Sequence, residues 1–158
     1  EKSTGNQVPA IILPVDQKDR ILKKDGWQFK WQQLMKTEGA MFFKLAREES
    51  PDKIEGLVML SLLFDEMVYM HNIEVALSNR GSSGKYDNIA GCLIAFACRL
   101  SHKIGRGDYQ GYLSFDSKTR LIELYQKKYG AKIAMGHRMY IGPDQGKRLM
   151  ELYLGITE

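Results

Sequence analysis

The sequence predicts an α+β, or mixed α/β, protein whose sheet is partly antiparallel. Three observations lead to this prediction. Three strand-like apolar segments follow one another through short polar turns in the first half of the chain. The apolar residues then recur at helical spacing. From that point strands and helices alternate to the C-terminus, an order typical of a mixed sheet with helices packed on its faces.

The first half predicts a terminal arm, a short helix and three strands. Residues 1–15 form the arm, which ends in the apolar run 11–13. Asp16 begins the short helix and Gly26 closes it. Residues 27–31 alternate between apolar and polar, which indicates a half-buried strand or another extended segment. The three strands are predicted at 41–45, 54–63 and 67–76. Short polar turns separate them, so we expect consecutive strands to pair antiparallel.

The second half predicts three helices and two short strands. Apolar residues three and four apart define the first of these helices, and Gly130 is a natural stop for the second. Because a helix separates strand 67–76 from strand 112–115, the two strands form one parallel step. The predicted elements are a helix at 88–103, a strand at 112–115, a helix from Thr119 to Gly130, a strand at 135–141 and a helix at 144–154.

Length and composition indicate a single domain, 1–158, with a core of its own. The chain has 158 residues, of which 44% are hydrophobic and 27% charged, as in ordinary globular proteins. We expect no contact with a membrane, because no apolar run reaches about 18 residues. The polar N-terminal segment lacks a signal-peptide core, so we expect a cytoplasmic protein.

The charge distribution and the cysteine and histidine positions bear on nucleic-acid binding, on the redox compartment and on metal binding. The net charge is +4, but the cations are spread along the chain, so we expect one anion site and no nucleic-acid partner. Cys92 and Cys98 are six helical residues apart, about 600° of turn, and therefore point to different sides. They are interpreted as small buried residues in a reducing compartment. The three histidines are scattered, so no metal site is predicted.

A polar, Gly-rich loop leads from the third strand into the first long helix. Residues 78–91 read SNRGSSGKYDNIAG. A helix N-terminus offers unpaired N–H groups and a partial positive charge, which suit a phosphate, and the small Ala90 and Gly91 allow close approach. The loop is neither a Walker A loop nor a Rossmann fingerprint. The alternative to an anion site is a mobile loop with a small-residue packing contact.

This loop and the segments after it resemble the GNAT N-acetyltransferase superfamily. The family motif has the form Gln/Arg-x-x-Gly-x-Gly/Ala, and the matching residues here are 85–90, with Lys85 and Asn88 replacing two family residues and Ala90 matching. The resemblance extends over about 40–154. It is carried by four ordered segments in the pattern of a bacterial GNAT subgroup: LIAFACRLS at 93–101, GYLSFDSKTRLI at 111–122, YQKKYGA at 125–131 and RMYI at 138–141.

The resemblance implies a GNAT fold, a twisted mixed sheet flanked by helices, and an acetyl-CoA-dependent N-acetyltransferase. Such enzymes transfer acetyl directly from acetyl-CoA to an amine, without a metal. The cofactor of the family lies between the fourth and fifth strands, here 67–76 and 112–115. Backbone groups near Glu74 would bond the pantetheine arm. The residues implied in cofactor binding are Ile73, Val75, Lys85, Asn88, Ile89, Ala90, Gly91 and Lys118.

Two residues take catalytic roles by the same resemblance. Tyr125 occupies the position of the general acid that protonates the leaving CoA thiolate, and a phenol is neutral and able to donate at pH 7. Its alternative is a core aromatic. Glu74 is the expected base, since a carboxylate in an apolar strand has a desolvation cost that needs a reason; the alternative is an ion-paired strand residue. His71 is a second choice for the base.

The resemblance implies that the acceptor is a primary amine of a small molecule or a protein, and the sequence does not identify it. Residues that the resemblance places near the acceptor are Trp27, Phe29, Trp31, the turn 48–53 and Tyr140, with core packing as the alternative for the aromatics. A neighbouring subunit of a homodimer is a further source of site residues.

Two other functions stay open at this level. The replacements at Lys85 and Asn88 are compatible with a GNAT-fold module or regulator that holds CoA without transferring acetyl. The basic charge is compatible with a nucleic-acid-associated acetyltransferase that acts on RNA or on a basic protein.

Overall fold

A computed structural model describes residues 1–157. The chain forms one mixed sheet in the order β1-β2-β3-β4-β5-β7-β6. The strands are β1 (Ala10–Pro14), β2 (Ala40–Arg47), β3 (Gly56–Leu63), β4 (Met67–Val75), β5 (Leu113–Asp116), β6 (Lys132–Met135) and β7 (Arg138–Ile141). The helices are α1 (Trp31–Leu34), α2 (Ile89–Ile104), α3 (Thr119–Tyr129) and α4 (Pro143–Leu149), the last continued by a π-helical turn, Met150–Leu154.

Contacts between Cα atoms divide the chain into two compact units. The first comprises 1–59 and 72–93, and the second comprises 60–71 and the chain from Ile94 onward. No helix in the described part of the chain is both long and apolar enough to cross a membrane.

In the first unit the N-terminal arm becomes an edge strand. β1 pairs antiparallel with β2, from Ala10 opposite Arg47 to Pro14 opposite Phe43. The predicted short helix after Asp16 is reduced to a 3-10 turn at Lys23–Asp25, closed by Gly26 at a φ of 101°. Gly26 therefore ends the turn as predicted, whereas Asp16 does not begin a helix; its carboxylate accepts a hydrogen bond from the Lys18 N–H instead.

The alternating segment 27–31 is not a strand. Residues 27–30 are irregular, and Trp31 begins α1. The alternation still reports burial, because the two tryptophan side chains are in the core of this unit while Gln28 and Lys30 are exposed. The aromatics pack as core residues, the alternative left open above. The buried members of this cluster are Ile21, Trp27, Trp31, Leu57 and Met59.

In the second unit a tight turn joins β3 to β4. Phe64 and Asp65 both have positive φ, 53° and 58°, as the central residues of a type I′ turn do. The Glu66 N–H closes the turn on the Leu63 carbonyl at 2.9 Å. The predicted strands at 41–45, 54–63 and 67–76 are confirmed with small shifts at their ends.

The rest of the second unit is built around β5. β4 pairs with it in parallel, Val68 opposite Leu113, which confirms the predicted parallel step across α2. β7 pairs with β5 antiparallel. The predicted last strand at 135–141 is wrong in extent: the chain turns at Gly136, whose φ is 58°, and forms two antiparallel strands, β6 and β7. Gly130 ends α3 in the left-handed conformation, as predicted.

Candidate active site

Asn79 organises the loop that precedes α2 in the first unit. Its side-chain amide donates to the Glu55 carboxylate at 3.0 Å and to the Glu55 carbonyl at 3.3 Å, and its side-chain oxygen accepts from the Tyr86 N–H at 3.1 Å. The Lys85 N–H donates to the Ser78 carbonyl at 2.8 Å. A Cβ at Gly84 would lie 2.4 Å from the Asn79 carbonyl oxygen. The loop is therefore fixed by specific bonds and by a required glycine.

The loop ends at a left-handed residue that starts α2. Asn88 has a φ of 66°, a conformation that asparagine tolerates better than most residues. Its carbonyl accepts the first helical bond, from the Cys92 N–H at 2.9 Å. The N–H groups of Ile89, Ala90 and Gly91 thus belong to the first turn, whose N–H groups have no partner within an α-helix. Five of the predicted cofactor-binding residues, Lys85, Asn88, Ile89, Ala90 and Gly91, lie at this junction, whereas Lys118 does not.

Two cations flank the aromatic ring of Tyr86. The Lys85 ammonium lies 5.3 Å and the Arg47 guanidinium 5.7 Å from the ring centroid, within the range of a cation–π attraction. Lys85 itself is exposed. Arg47 also forms ion pairs with Glu49 and Glu55. Lys85, four residues before Ile89, therefore supplies the positive charge near the N-terminal end of α2, where the helix dipole already favours an anion.

Glu74 is surrounded by donors. Its carboxylate accepts hydrogen bonds from the Gln28 N–H at 2.6 Å, the Phe29 N–H at 3.2 Å and the Trp31 indole N–H at 2.8 Å, and it forms an ion pair with Arg80 at 2.5 Å. The residue is buried. A base must direct a lone pair at the acceptor, whereas these four donors already use the carboxylate oxygens. The contacts favour the alternative reading of an ion-paired structural residue.

The neighbours of Glu74 on β4 are half-buried. Ile73 and Val75 flank it, and the Val75 carbonyl accepts a hydrogen bond from the Arg80 Nε at 3.1 Å. Of the groups predicted to bond the pantetheine arm, this carbonyl already has a protein donor. Arg80 was missed by the sequence analysis, although a buried carboxylate implies a nearby cation and the loop supplies one six residues later.

Tyr125 lies on α3 in the second unit. Its ring centroid is 4.9 Å from that of Phe115 on β5 and 5.9 Å from that of Tyr129. Burial raises the pKa of the Tyr125 phenol above 10.0. The phenol therefore keeps its proton at neutral pH, as a general acid must. Lys118, also in this unit, is the exposed residue immediately before α3.

A polar row crosses the strands of the second unit. His71 Nε2 is 2.6 Å from the Ser61 Oγ, and its ring meets that of Tyr69 edge-to-face with centroids 4.7 Å apart. The Tyr69 hydroxyl donates to Asp116 at 2.8 Å. Arg138 pairs with the same carboxylate at 2.7 Å. We call these five residues, Ser61, Tyr69, His71, Asp116 and Arg138, the polar row.

The sequence analysis missed most of the polar row. It considered His71, but not the residues beside it, because their proximity depends on which strands are neighbours. A period-2 pattern puts Tyr69 and His71 on one side of β4, and that was the available signal. The remaining three come from β3, β5 and β7, whose order in the sheet does not follow the chain.

The cysteines and the metal-ligand residues form no site of their own. Cys98 is buried, which raises the pKa of its thiol to about 12, and partial burial also raises the pKa of Cys92. Within residues 1–157, no group of three His, Cys, Asp or Glu side chains is placed to hold a metal ion.

Comparison with known proteins gives likenesses in structure alone. No protein-family model matches the sequence, and no curated protein matches it. Among solved structures, the AtaTR complex bound with acetyl-CoA superposes with a TM-score of 0.63 at 15% identity over 90% of this chain and 98% of the other. The KacTA–DNA complex gives 0.63 at 10% identity over 93% and 99%.

A third similar structure carries the family's name. It is a GNAT family acetyltransferase from Elizabethkingia anophelis with acetyl-CoA bound, and it superposes with a TM-score of 0.57 at 19% identity over 80% of this chain and 78% of the other. Identities this low establish the arrangement of the chain and nothing finer. The seven-stranded mixed sheet with its parallel β4–β5 step and these likenesses together show that the chain has the GNAT acetyltransferase fold.

Proposed function

We propose that the protein is an acetyl-CoA-dependent N-acetyltransferase that transfers an acetyl group directly to a primary amine. The observation that carries the proposal is the loop–helix junction at 85–91, found within a GNAT fold. Similar structures of this fold were solved with acetyl-CoA bound, which supports the same cosubstrate here.

The junction supports the phosphate end of acetyl-CoA. The first turn of α2 presents the N–H groups of Ile89, Ala90 and Gly91, and the exposed Lys85 adds a charge. Lys85 can replace the Gln or Arg of the family motif because an ammonium also binds phosphate. Asn88, which replaces a glycine of the motif, has a positive φ, a conformation that glycine also adopts readily. Both replacements are therefore compatible with phosphate binding.

The acid in the proposed transfer is Tyr125. The amine attacks the thioester carbonyl, the C–S bond breaks, and the phenol gives its proton to the CoA thiolate. Backbone N–H groups near Ile73 and Val75 are proposed to hold the pantetheine arm and the thioester oxygen, and Lys118 a phosphate. Glu74 remains the sequence-based choice for the base, although its four hydrogen-bond donors already use the lone pairs that a base needs.

Binding of the cosubstrate is tested by thermal unfolding with acetyl-CoA and with CoA. Ligand at 100 times its dissociation constant adds about 2.7 kcal/mol to the free energy of unfolding, so a clear rise in Tm is expected. Ala90→Phe should remove the rise, because the ring would occupy the space of the phosphates. Ala10→Phe, the same exchange at an exposed position of β1, should leave it unchanged.

Transfer is tested by an acceptor screen with detection of the released CoA thiol. Release that depends on a primary amine, with an acetylated product of the expected mass, supports the proposal. A rise in Tm with CoA but no release with any amine supports the alternative of a CoA-binding module or regulator.

A nucleic-acid-associated acetyltransferase is the second candidate. The net charge of +4 favours it, as do the solved complexes of similar structures with DNA. The expectation of no nucleic-acid partner therefore has no support from the comparisons. A salt-dependent Tm rise with an oligonucleotide, and acetylation of an RNA-linked amine or of a basic protein in preference to small amines, would distinguish this candidate.

A further inference from the structure

We infer that Arg80 is a positioning residue of the acetyl-CoA site: it acts through Glu74 and couples the loop 78–91 to the segment 27–31. The inference rests on the proposed binding of acetyl-CoA at the junction 85–91. It adds to that site a residue that makes its own contacts elsewhere, because both printed side-chain bonds of Arg80 go to β4.

The carboxylate of Glu74 joins two separate parts of the first unit. Its Oε1 accepts from the Phe29 N–H at 3.2 Å and from the Trp31 indole N–H at 2.8 Å. Its Oε2 accepts from the Gln28 N–H at 2.6 Å and from the Arg80 guanidinium at 2.5 Å. The same oxygen therefore has one donor from each part, and neither donor can move without affecting the other.

Arg80 ties the beginning of the loop to the end of β4. Its Nε donates to the Val75 carbonyl at 3.1 Å, while a terminal nitrogen of the same guanidinium pairs with Glu74. Because the guanidinium is planar and its donors are fixed relative to one another, two such bonds set both the position and the orientation of the side chain. The backbone N–H of Arg80 also donates to the Leu77 carbonyl at 3.2 Å.

The position of Arg80 and its neighbours passes directly to the phosphate-binding end of the loop. The Lys85 N–H donates to the Ser78 carbonyl at 2.8 Å, and the Tyr86 N–H donates to the side-chain oxygen of Asn79 at 3.1 Å. The two residues just before Arg80 thus hold the two residues that lead into the helix junction. A displacement of Arg80 is therefore expected to move Lys85 and the first turn of α2.

Burial makes this link hard to break. Glu74 is only 7% exposed, and a buried carboxylate that loses its cation is left with an uncompensated charge. Arg80 and the segment 27–31 consequently rearrange together around Glu74. A ligand that fixes the loop therefore also favours one arrangement of Trp31, and a change at Trp31 alters ligand affinity by the same factor, since coupling between two sites is reciprocal.

Two simpler roles for Arg80 make different predictions. If its guanidinium bound a CoA phosphate directly, its effect on affinity would not depend on Glu74. If it only stabilised the fold, its loss would lower Tm, whereas the folded protein would bind CoA as before and Trp31 would respond as before.

The first test follows Trp31 while CoA binds. The chain has two tryptophans, so a ¹H–¹⁵N NMR spectrum contains two indole N–H signals, and Trp27→Phe assigns them. Saturating CoA should shift the Trp31 signal in the unaltered protein. In Arg80→Met, at a CoA concentration well above its own Kd, the signal should stay at its ligand-free position. A Trp31 signal that CoA does not shift in the unaltered protein, or shifts equally in Arg80→Met, would overturn the inference.

The second test measures CoA affinity by calorimetry, below the Tm of every variant. Arg80→Met should raise the Kd of CoA about 5- to 150-fold, the usual range of coupling between two sites. Arg80→Lys keeps a cation for Glu74 but lacks the Nε donor to Val75, so its Kd should be intermediate; it also serves if Arg80→Met does not fold. Arg20→Met, the same exchange at an exposed arginine of this unit, should leave the Kd unchanged.

A double-mutant cycle separates positioning from a direct contact. Glu74→Gln should also raise the Kd of CoA, and the variant with both Glu74→Gln and Arg80→Met should bind no more weakly than the weaker single variant, because both changes remove one link. Fold-losses that multiply in the double variant would mean that Arg80 contacts CoA independently of Glu74, and the inference would be wrong.

The two proposals fail in different ways. If the unaltered protein gives neither a rise in Tm nor a heat of binding with CoA or acetyl-CoA, the proposed function fails. If it binds CoA, and Arg80→Met and Arg80→Lys bind it as tightly as Arg20→Met does, the positioning role of Arg80 fails while the function stands.

Discussion

Glu74 and His71 lie three residues apart on β4, yet they differ in the number of hydrogen-bond partners that surround each side chain. The carboxylate of Glu74 is buried with four donors, whereas the imidazole of His71 has one protein partner, Ser61, and an exposed edge. A buried group with every lone pair used holds the chain in place. A side chain with one hydrogen-bond partner and an exposed edge remains accessible from solvent. Residue type alone favours Glu74 as a base, whereas its contacts favour a structural role.

The largest effect is expected in the second unit, at the residue proposed as the acid. Tyr125→Phe removes a hydroxyl and keeps the ring against Phe115, so turnover should fall about 100- to 10,000-fold with little change in stability or in CoA affinity. Single-turnover kinetics and Tm check this. Tyr109→Phe, at an exposed tyrosine of the same unit, is the matched control. Unchanged turnover would make Tyr125 a packing residue.

Glu74→Gln should act first on stability. The amide leaves Arg80 without its countercharge and turns a donor toward other donors, so the free energy of unfolding should fall by about 3 kcal/mol, as when one partner of a buried pair is removed. Denaturant unfolding checks this. Glu123→Gln, which breaks an exposed pair with Lys127, should cost at most about 0.5 kcal/mol. A stable Glu74→Gln protein with activity lost at low pH would restore Glu74 as the base.

Gly84→Ala should weaken the fixed loop of the first unit. The new Cβ would meet the Asn79 carbonyl oxygen at 2.4 Å, so the backbone must shift, at a cost of about 1–3 kcal/mol. Acetyl-CoA should also bind less tightly. Gly81→Asn is the control, because that site is open and asparagine tolerates its φ of 70°. Calorimetry and thermal unfolding measure both quantities, and equal behaviour of the two variants would show a loop without fixed geometry.

Asp116→Asn should have the smallest effect. The pair with Arg138 is half-exposed, with side-chain exposures of 50% and 41%, and such pairs contribute at most about 1 kcal/mol. The hydrogen bond from Arg138 lowers the pKa of Asp116 below 3.8. Its contribution is therefore present above about pH 4 and is lost as the pH falls through the folded-state pKa. Unfolding in denaturant at pH 7 and at pH 3 should show the variant closer to the original protein at the lower pH.

Local signals in the sequence were sufficient for elements whose pattern is set within a few residues. The amphipathic α2 and the stop at Gly130 are of this kind. The pattern of segment 27–31 was misleading, because its two buried tryptophans alternate with the exposed Gln28 and Lys30 in an irregular segment that is hydrogen-bonded to Glu74 and is not part of a strand ladder. The hairpin at Gly136 depends on one positive φ inside an alternating run.

The same distinction between local and nonlocal signals applies to the candidate site. The junction at 85–91, proposed to bind phosphate, is contiguous in sequence and was predicted as a unit. The polar row was not, because Ser61 and His71 meet across neighbouring strands. The partners of Glu74 could not be read from its apolar neighbours on β4, since they lie about 45 residues earlier and in the next loop. Nonlocal contacts of this kind carry no local pattern.

The buried thiol of Cys98 has a practical consequence for measuring turnover. Disulfide reagents and alkylating agents react with the thiolate, and a pKa of about 12 leaves almost none at neutral pH. The raised pKa of Cys92 acts in the same direction. Released CoA, whose thiol is in water, should react much faster than the protein, so thiol detection can follow acetyl transfer continuously without first mutating either cysteine.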